Sequence, residues 1–112
     1  KAGLFRADPE VVVLNRDDTH YPEFSAFRGK TETLTYGASS DSDMRIDFSK
    51  LYRKGAEASL SFGNKNFTVA SFLTGEPMIS YMACAATIAT SLNITPNIIA
   101  EGIANYEPTT QQ

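Results

Sequence analysis

Four consecutive branched apolar residues, Val11 to Leu14, constrain the fold of this chain more than any other feature. An unbroken apolar run of this length is typical of a strand that is covered on both faces, as in a parallel sheet. Polar residues end the run, and Pro22 suits the first turn of a short helix over residues 22–28. A second strand is predicted over residues 31–37. Strand, helix and strand in this order form the unit of an α/β layer.

Shorter segments of alternating polarity lie in the middle of the chain, at residues 44–49, 57–62 and 67–73. Alternation with a period of two indicates strands, and the turn "GNKN" between the last two contains residues that tolerate positive φ. We therefore predict a small antiparallel meander. The residues predicted to share its apolar face are Ala58, Leu60, Phe62, Phe67 and Val69. Phe72 is expected in the core as well, because no positive charge flanks it for base stacking.

Two helices are predicted in the last third of the chain. The residues predicted to form one stripe of the first helix are Met78, Met82, Ala85, Ala89 and Leu92, at spacings of four and three. The second helix has Thr95 as N-cap and Pro96 at its first position, and Pro108 ends it. The residues predicted to share one of its faces are Ile99, Gly102, Ile103 and Tyr106.

These elements predict a single α/β subdomain over residues 1–112: part of a mostly parallel sheet with flanking helices, plus a small antiparallel β meander. A chain of 112 residues, 42% of them hydrophobic, has room for one domain with a modest core and not for two. It begins "KAGLF" without methionine and ends in the polar "EPTTQQ". We therefore expect it to be excised from a larger multidomain protein.

Charge and apolar content argue against two classes of partner. The net charge of −3 and the pI near 5.0 give no long-range attraction to nucleic acid, and the basic cluster Lys50 to Lys54 is interpreted as a solvated face. No apolar run has the length of a membrane span, so no membrane partner is expected. The single cysteine, Cys84, lies in an apolar run and cannot form an internal disulfide, which favours a reducing compartment.

The tripeptide Gly29-Lys30-Thr31 spells the end of a phosphate-binding loop. The complete loop has the pattern G-x-x-x-x-G-K-[ST] and leads from a strand into a helix. Phe24 stands where the first glycine is required, and a predicted strand follows Thr31. The segment is therefore interpreted as a helix-to-strand turn with a glycine C-cap.

Catalytic and metal-binding patterns are weak. His20 is the single histidine and has no G-x-S-x-G serine or second base to accompany it, so a solvated loop histidine is favoured. Asp41 and Asp43 have the spacing that begins a calcium loop, but the glycine and the terminal glutamate of that motif are missing. The sequence therefore predicts no catalytic residue and no metal ligand.

The segment "LNRDD" follows the first strand and is more informative. In an open α/β sheet, ligands bind beyond the carboxyl ends of the strands, and Asn15, Asp17 and Asp18 lie at such an end. An asparagine amide offers a donor and an acceptor, which match the paired acceptor and donor of the adenine edge. A strand-end turn capped by Asn and Asp side chains explains the same residues equally well.

The order of the segments resembles the Mur ligase family, and more narrowly the second half of its central ATP-binding domain. "VVVLNRDD" resembles the family's V-[LI]-N-x-D-D strand, and "TLTYG" resembles its V-x-[TS]-Y-G strand. "YMACAATIATSLNITPNIIAEGIANYEP" resembles the family's A-x-A-A helix, the following helix and the closing F-x-P. The likeness covers nearly the whole chain.

The resemblance implies an ATP-dependent, ADP-forming amide ligase of peptidoglycan synthesis, working in the cytoplasm. In the family, ATP phosphorylates the carboxylate of a UDP-N-acetylmuramoyl peptide, and the amine of an amino acid attacks the acyl phosphate. The γ-phosphate and Mg are held by a glycine-rich loop upstream of the region seen here, and much of the amino-acid site lies in a later domain. The resemblance therefore implies that this chain alone is inactive and contributes the adenine side of the ATP site.

The resemblance to the Mur ligases implies two residues of the nucleotide site in this chain. Asn15 matches the motif asparagine that lies against the adenine, and Asp18 matches the second motif aspartate, whose role is positional. The chain departs from the family where G-x-[HF]-N-x-x-N usually precedes the alanine-rich helix. The residues at those motif positions are Pro77, Met78 and Tyr81, and Gln111 and Gln112 stand where P-x-x-G-R usually ends.

Two alternatives stay open at this point. The chain is also compatible with a folylpolyglutamate- or cyanophycin-type ligase, which would lack the N-terminal domain that binds a UDP-sugar. The other alternative is a non-enzymatic interaction module, with "GEPMISYM" as an exposed apolar approach to a partner groove. A natural start codon at or near Lys1 would favour the interaction module.

Overall fold

Six strands form one sheet whose spatial order is the order of the chain. The computed structural model describes residues 4–7, 11–19, 21–22 and 32–106. The strands are β1 Leu4–Ala7, β2 Val11–Asn15, β3 Glu32–Gly37, β4 Met44–Tyr52, β5 Gly55–Phe62 and β6 Lys65–Ser71, and the helices are α1 Glu76–Ser91 and α2 Pro96–Ala104. The predicted α/β class is confirmed.

The sheet is mixed, with parallel strands at its centre. β2 pairs with β3 in parallel over five residues, and β3 pairs with β4 in parallel at two positions only, Tyr36 with Met44 and Gly37 with Arg45. β4, β5 and β6 form the predicted antiparallel meander. β1 pairs antiparallel with β2 and was not predicted, because four residues of "LFRA" give too short a pattern to recognise.

The apolar run of β2 is covered as predicted. Val13 and Leu14 are fully buried, and Val12 is 5% exposed. Tyr21 and Pro22 have helical backbone, as expected for the start of the predicted helix over 22–28. The rest of that helix, His20, and the segment Gly29-Lys30-Thr31 lie outside the described residues.

One face of the meander packs against α1. Ala58, Leu60 and Val69 are buried there, and Phe62 and Phe67 are half-buried against the same core. The prediction for Phe72 is wrong, because this residue follows the last residue of β6 and its side chain is 52% exposed. Residues 50–54, which include the β4–β5 turn, are all exposed, which agrees with the predicted solvated face.

α1 buries two faces, because it contacts both the sheet and α2, and α2 in turn packs against β6. The residues that it buries most completely are Ile79, Met82, Ala83, Cys84, Ala86 and Thr87. The predicted stripe is therefore only partly right: Met78, Ala85 and Ala89 line a groove facing α2, whereas Met82 lies in the main core. Leu92 is 49% exposed, because it lies just beyond the last helical residue.

α2 begins with Pro96 after Thr95, as predicted, although the Thr95 side chain makes no capping hydrogen bond. The face predicted for it is confirmed as the wall of the groove against α1, with Ile99 and Ile103 buried. The helix ends at Ala104, and Pro108 lies outside the described residues. Neither described helix is long and apolar enough to cross a membrane.

Candidate functional site at the ends of the parallel strands

The carboxyl ends of β2 and β3 meet at one edge of the sheet. Asn15 is the last residue of β2, and its register partner in β3 is Tyr36, which is 3% exposed. Register partners in neighbouring parallel strands project to the same face of a sheet. Because Tyr36 belongs to the core cluster that includes α1, the Asn15 side chain projects to the α1 face.

Asn15 makes a local turn with its own side chain. Its Oδ1 accepts a hydrogen bond from the Asp17 N–H at 2.9 Å, and its carbonyl oxygen accepts one from the Asp18 N–H at 3.2 Å. Among the described residues, none accepts a hydrogen bond from the Asn15 amide nitrogen. The strand-end turn foreseen from the sequence is therefore present, and it leaves the amide NH₂ group as a donor at the sheet edge.

Asp17 joins the ends of the two strands. Its Oδ2 accepts a hydrogen bond from the Ala38 N–H at 2.7 Å, and its Oδ1 accepts one from the Ser39 N–H at 3.3 Å. A Cβ atom at Gly37 would lie 2.8 Å from the carboxylate carbon, and the φ angle of Gly37 is +155°. A side chain here would be strained by this φ angle and would displace the Asp17 carboxylate.

Asp18 lies in the turn that leaves β2. Its carbonyl oxygen accepts a hydrogen bond from the Tyr21 N–H at 2.9 Å, where the helical backbone begins. Burial raises the pKa of the nearby Tyr36 hydroxyl above its usual value, with further contributions from Cys84 and from the negative charges of Asp18 and Asp17. The Tyr36 hydroxyl therefore stays protonated beside this acidic edge.

Arg16 places a positive charge next to these carboxylates. Its Nη2 lies 2.9 Å from Asp41 Oδ2, and its guanidinium carbon lies 4.5 Å from the centre of the Tyr21 ring. Asp41 also accepts a hydrogen bond from the Ser39 hydroxyl. That bond, together with Arg16, lowers the pKa of the exposed Asp41 carboxyl.

Asp43 completes the connection between β3 and β4. Its Oδ2 accepts hydrogen bonds from the Thr35 N–H at 2.9 Å and from the Thr35 hydroxyl at 3.2 Å, and its N–H donates to Thr35 Oγ1 at 2.9 Å. Asp41 and Asp43 thus both have protein partners. Within the part of the chain that the structure describes, no group of three His, Cys, Asp or Glu residues could hold a metal ion.

The residues that depart from the Mur motif lie at the start of α1. Pro77 occupies its first turn, and Met78 is half-buried in the groove against α2. Tyr81 is 48% exposed, and its ring lies 5.7 Å from the ring of Tyr106, which follows α2. Tyr81, which stands at the second asparagine position of the motif, therefore pairs with an aromatic ring from beyond α2. Gln111 and Gln112 lie outside the described residues.

Sequence reasoning placed Asn15 and Asp18 at this edge but missed the part played by Asp17. The available signal was the glycine that ends "TLTYG". In a parallel pair, Asn15 and Tyr36 fall side by side, so Gly37 lies within reach of the loop after β2. A glycine there indicates a close approach by another group.

Sequence comparison finds a relative of known activity. The chain is 31% identical over 99 residues to a UDP-N-acetylmuramoyl-L-alanyl-D-glutamate–2,6-diaminopimelate ligase of Solibacter usitatus (strain Ellin6076). The match includes 88% of this chain and 20% of the relative, so the chain spans about a fifth of that enzyme's length. No protein-family model matches the chain.

Structure comparison finds the same fold in solved ligases. MurF from Acinetobacter baumannii superposes with a TM-score of 0.80 and 16% sequence identity, over 91% of this chain and 22% of that protein. The MurF ligase from Thermotoga maritima in complex with ADP superposes with a TM-score of 0.66 and 17% identity, over 91% of this chain and 23% of that protein.

Proposed function

We propose, from the confirmed resemblance of this chain to a segment of the Mur ligases, that it supplies the adenine side of the ATP site in a longer ligase. That ligase would be ADP-forming and would add an amino acid to a UDP-N-acetylmuramoyl peptide in peptidoglycan synthesis. The ligase would act in the cytoplasm. The Mur-type assignment is preferred to a folylpolyglutamate- or cyanophycin-type ligase because the relatives found are ligases of muramoyl peptides.

One observation carries the proposal: the Asn15 amide lies at the carboxyl ends of two parallel strands, and no described residue accepts a hydrogen bond from its NH₂ group. This edge is where nucleotides bind in open α/β sheets. The Asn15 Oδ1 has two lone pairs, and the Asp17 N–H uses one of them. The amide can therefore donate to a ring nitrogen of adenine and accept from the adenine amino group, so its chemistry fits the base.

The phosphates and Mg are proposed to bind outside this chain. The segment with the letters of a phosphate loop lacks the first glycine of that motif, and the described carboxylates form no cluster for a cation. In the proposed reaction, the peptide carboxylate attacks the γ-phosphorus, ADP leaves, and an acyl phosphate forms. The amine of the amino acid then attacks the acyl carbon, phosphate leaves, and the nitrogen loses a proton. This chain would hold the adenine during both steps and would be inactive alone.

The proposal is tested with the full-length gene product. ADP formation is measured with ATP, an amino acid, and UDP-muramoyl dipeptide or tripeptide as acceptor, and a folate or cyanophycin acceptor tests the related ligases. Asn15→Ala should raise the KM for ATP about ten- to a hundredfold, as expected for the loss of a two-point base contact. Asn97→Ala, an exposed asparagine on α2, is the matched control and should leave the KM unchanged.

Three results would contradict the proposal. No ADP formation with any muramoyl peptide would exclude the assigned reaction. An unchanged KM for ATP in Asn15→Ala would exclude the assigned adenine contact. ATP hydrolysis above background by residues 1–112 alone would contradict the expected inactivity of this chain.

A further inference from the structure

Asp17 is exposed, yet it has three hydrogen bonds to groups that the sheet holds in place. Its carboxylate accepts the N–H groups of Ala38 and Ser39, just beyond β3. Its own N–H donates to Asn15 Oδ1 at the end of β2. Two of these bonds are made by the carboxylate and one by the backbone N–H, and together they fix Asp17 relative to the ends of both strands.

The contact with Asp17 selects one orientation of the Asn15 amide. The two ends of a primary amide have nearly the same shape, and they differ in that oxygen accepts hydrogen bonds and nitrogen donates them. The Asp17 N–H can only donate, so it favours the orientation in which the Asn15 oxygen faces it. The Asn15 NH₂ group is then directed away from Asp17.

Two neighbours, Gly37 and Arg16, leave the Asp17 carboxylate able to accept the N–H groups of Ala38 and Ser39. Gly37 has no Cβ. A Cβ there would lie 2.8 Å from the Asp17 carboxylate carbon and 2.8 Å from its nearest oxygen. The neighbouring cation, Arg16, is held by Asp41 at 2.9 Å and by the ring of Tyr21. Arg16 therefore does not compete with Ala38 and Ser39 for Asp17.

We infer that Asp17 is a positioning residue that fixes the Asn15 amide in the orientation that matches adenine, an inference that rests on the proposed function. Adenine presents a donor and an acceptor side by side on one edge, and the fixed amide matches them with its oxygen and its NH₂ group. Guanine presents two acceptors on the corresponding edge, so one of them would face the amide oxygen. An amide free to turn over would lose part of its affinity for adenine.

The experiment measures the Kd of ADP and of GDP for the full-length gene product by titration calorimetry. The variants are Asp17→Asn, Asn15→Ala and the double variant. Asp47→Asn is the matched control, because it removes the same charge from β4, where Asp47 contacts Arg45 and Ser61. Asp17→Glu, which retains both acceptor oxygens on a longer side chain, serves if Asp17→Asn does not fold.

The expected result is a double-mutant cycle with strong coupling. Asp17→Asn should weaken ADP about tenfold, a part of the value of a two-point base contact, and should leave GDP nearly unchanged. In the Asn15→Ala background the same change should have no further effect. Asp17→Glu, which keeps the carboxylate, should fall between wild type and Asp17→Asn, and Asp47→Asn should bind both nucleotides as wild type does.

The experiment distinguishes failure of the positioning role from failure of the proposed function. If Asn15→Ala weakens ADP but Asp17→Asn does not, the positioning role is wrong and the proposed function stands. If Asp17→Asn weakens ADP equally with and without Asn15, its effect does not act through the amide and the inference is also wrong. If Asn15→Ala leaves ADP binding unchanged, the proposed adenine contact fails, and the inference fails with it.

Discussion

The Asp17 carboxylate accepts the backbone N–H of Ala38 at 2.7 Å, across 21 residues of chain. β2 and β3 are parallel, so both end at the same edge of the sheet, and this bond fixes the loop after β3 against the loop after β2. A carboxylate that accepts an amide N–H makes a shorter and stronger bond than a neutral acceptor does. The geometry of the candidate site therefore depends on a few contacts whose removal can be measured.

Replacing Gly37 by alanine should destabilise the fold. The new Cβ would lie 2.8 Å from the Asp17 carboxylate, and the φ of +155° is one that side chains rarely adopt. We expect a loss of about 1–3 kcal/mol in the free energy of unfolding, measured by urea denaturation. Gly102→Ala is the matched control, because nothing lies within 4 Å of the added methyl and the site is helical. It should stabilise the chain by about 0.5–1 kcal/mol, and equal effects of the two changes would contradict this account.

Removing the Asp43 side chain should open the β3–β4 connection. The Thr35 N–H lies in a residue that is 6% exposed, and Asp43 is its acceptor. Asp43→Ala should lower the free energy of unfolding by about 1–3 kcal/mol, because a buried donor loses its partner. Asp41→Ala removes an exposed carboxylate two residues earlier, and it should cost less than Asp43→Ala does because exposed ion pairs contribute little. If Asp41→Ala lowered the free energy of unfolding more than Asp43→Ala, the β3–β4 connection would depend on Asp41 and not on the contact between Asp43 and Thr35.

Met82 should be the residue through which α1 contributes most to the core. Its side chain is fully buried among the residues of α1 and the sheet. Met82→Ala should cost about 2–5 kcal/mol, the usual result when a large core side chain leaves a cavity. Leu92→Ala removes a side chain that is 49% exposed and should cost much less. If the two variants unfolded at similar urea concentrations, α1 would pack on the sheet through another face.

Stability should fall at high pH because of Cys84. Burial raises the pKa of the Cys84 thiol from 9.0 to about 11, although a hydrogen bond with Tyr36 opposes part of the shift. The folded chain thus holds this proton more tightly than the unfolded chain does. Its contribution is fully present below about pH 9 and is lost as the pH rises through about 11. Burial also raises the pKa of Tyr36 from 10.0, which adds a loss that begins near pH 10 and continues above the range of Cys84.

The measurement is the free energy of unfolding across this pH range for the wild type and for Cys84→Ala. The variant should show a shallower decline between about pH 9 and pH 11, because the group that titrates there is missing. Identical slopes would mean that the thiol does not govern the decline.

Five of the six strands and most of the core could be predicted from patterns of apolar residues. Val12 to Leu14 formed an unbroken run, and the meander alternated with a period of two, so both were identified correctly. Leu92 was misplaced because the helical period continues through it, whereas the helix ends one residue earlier. Phe72 was misplaced because hydrophobicity alone does not show that it lies beyond the last residue of β6.

The candidate site could be predicted only in part. Asn15 and Asp18 were placed at the strand end by position and by the Mur-like motif, and that edge is where the structure has them. Their roles remain predictions. The link from Asp17 to Ala38 depends on two strands being neighbours in parallel, and a single residue pattern does not contain that information.

The central claim is that the Asn15 amide forms hydrogen bonds with the adenine of ATP. A crystal structure of the full-length gene product with bound ADP tests this claim most directly. The account predicts that the adenine lies beyond the carboxyl ends of β2 and β3, with its amino group and a ring nitrogen at hydrogen-bond distances of about 2.7–3.2 Å from the Asn15 amide. An ADP molecule bound elsewhere, or an adenine whose polar edge faces other residues, would contradict it.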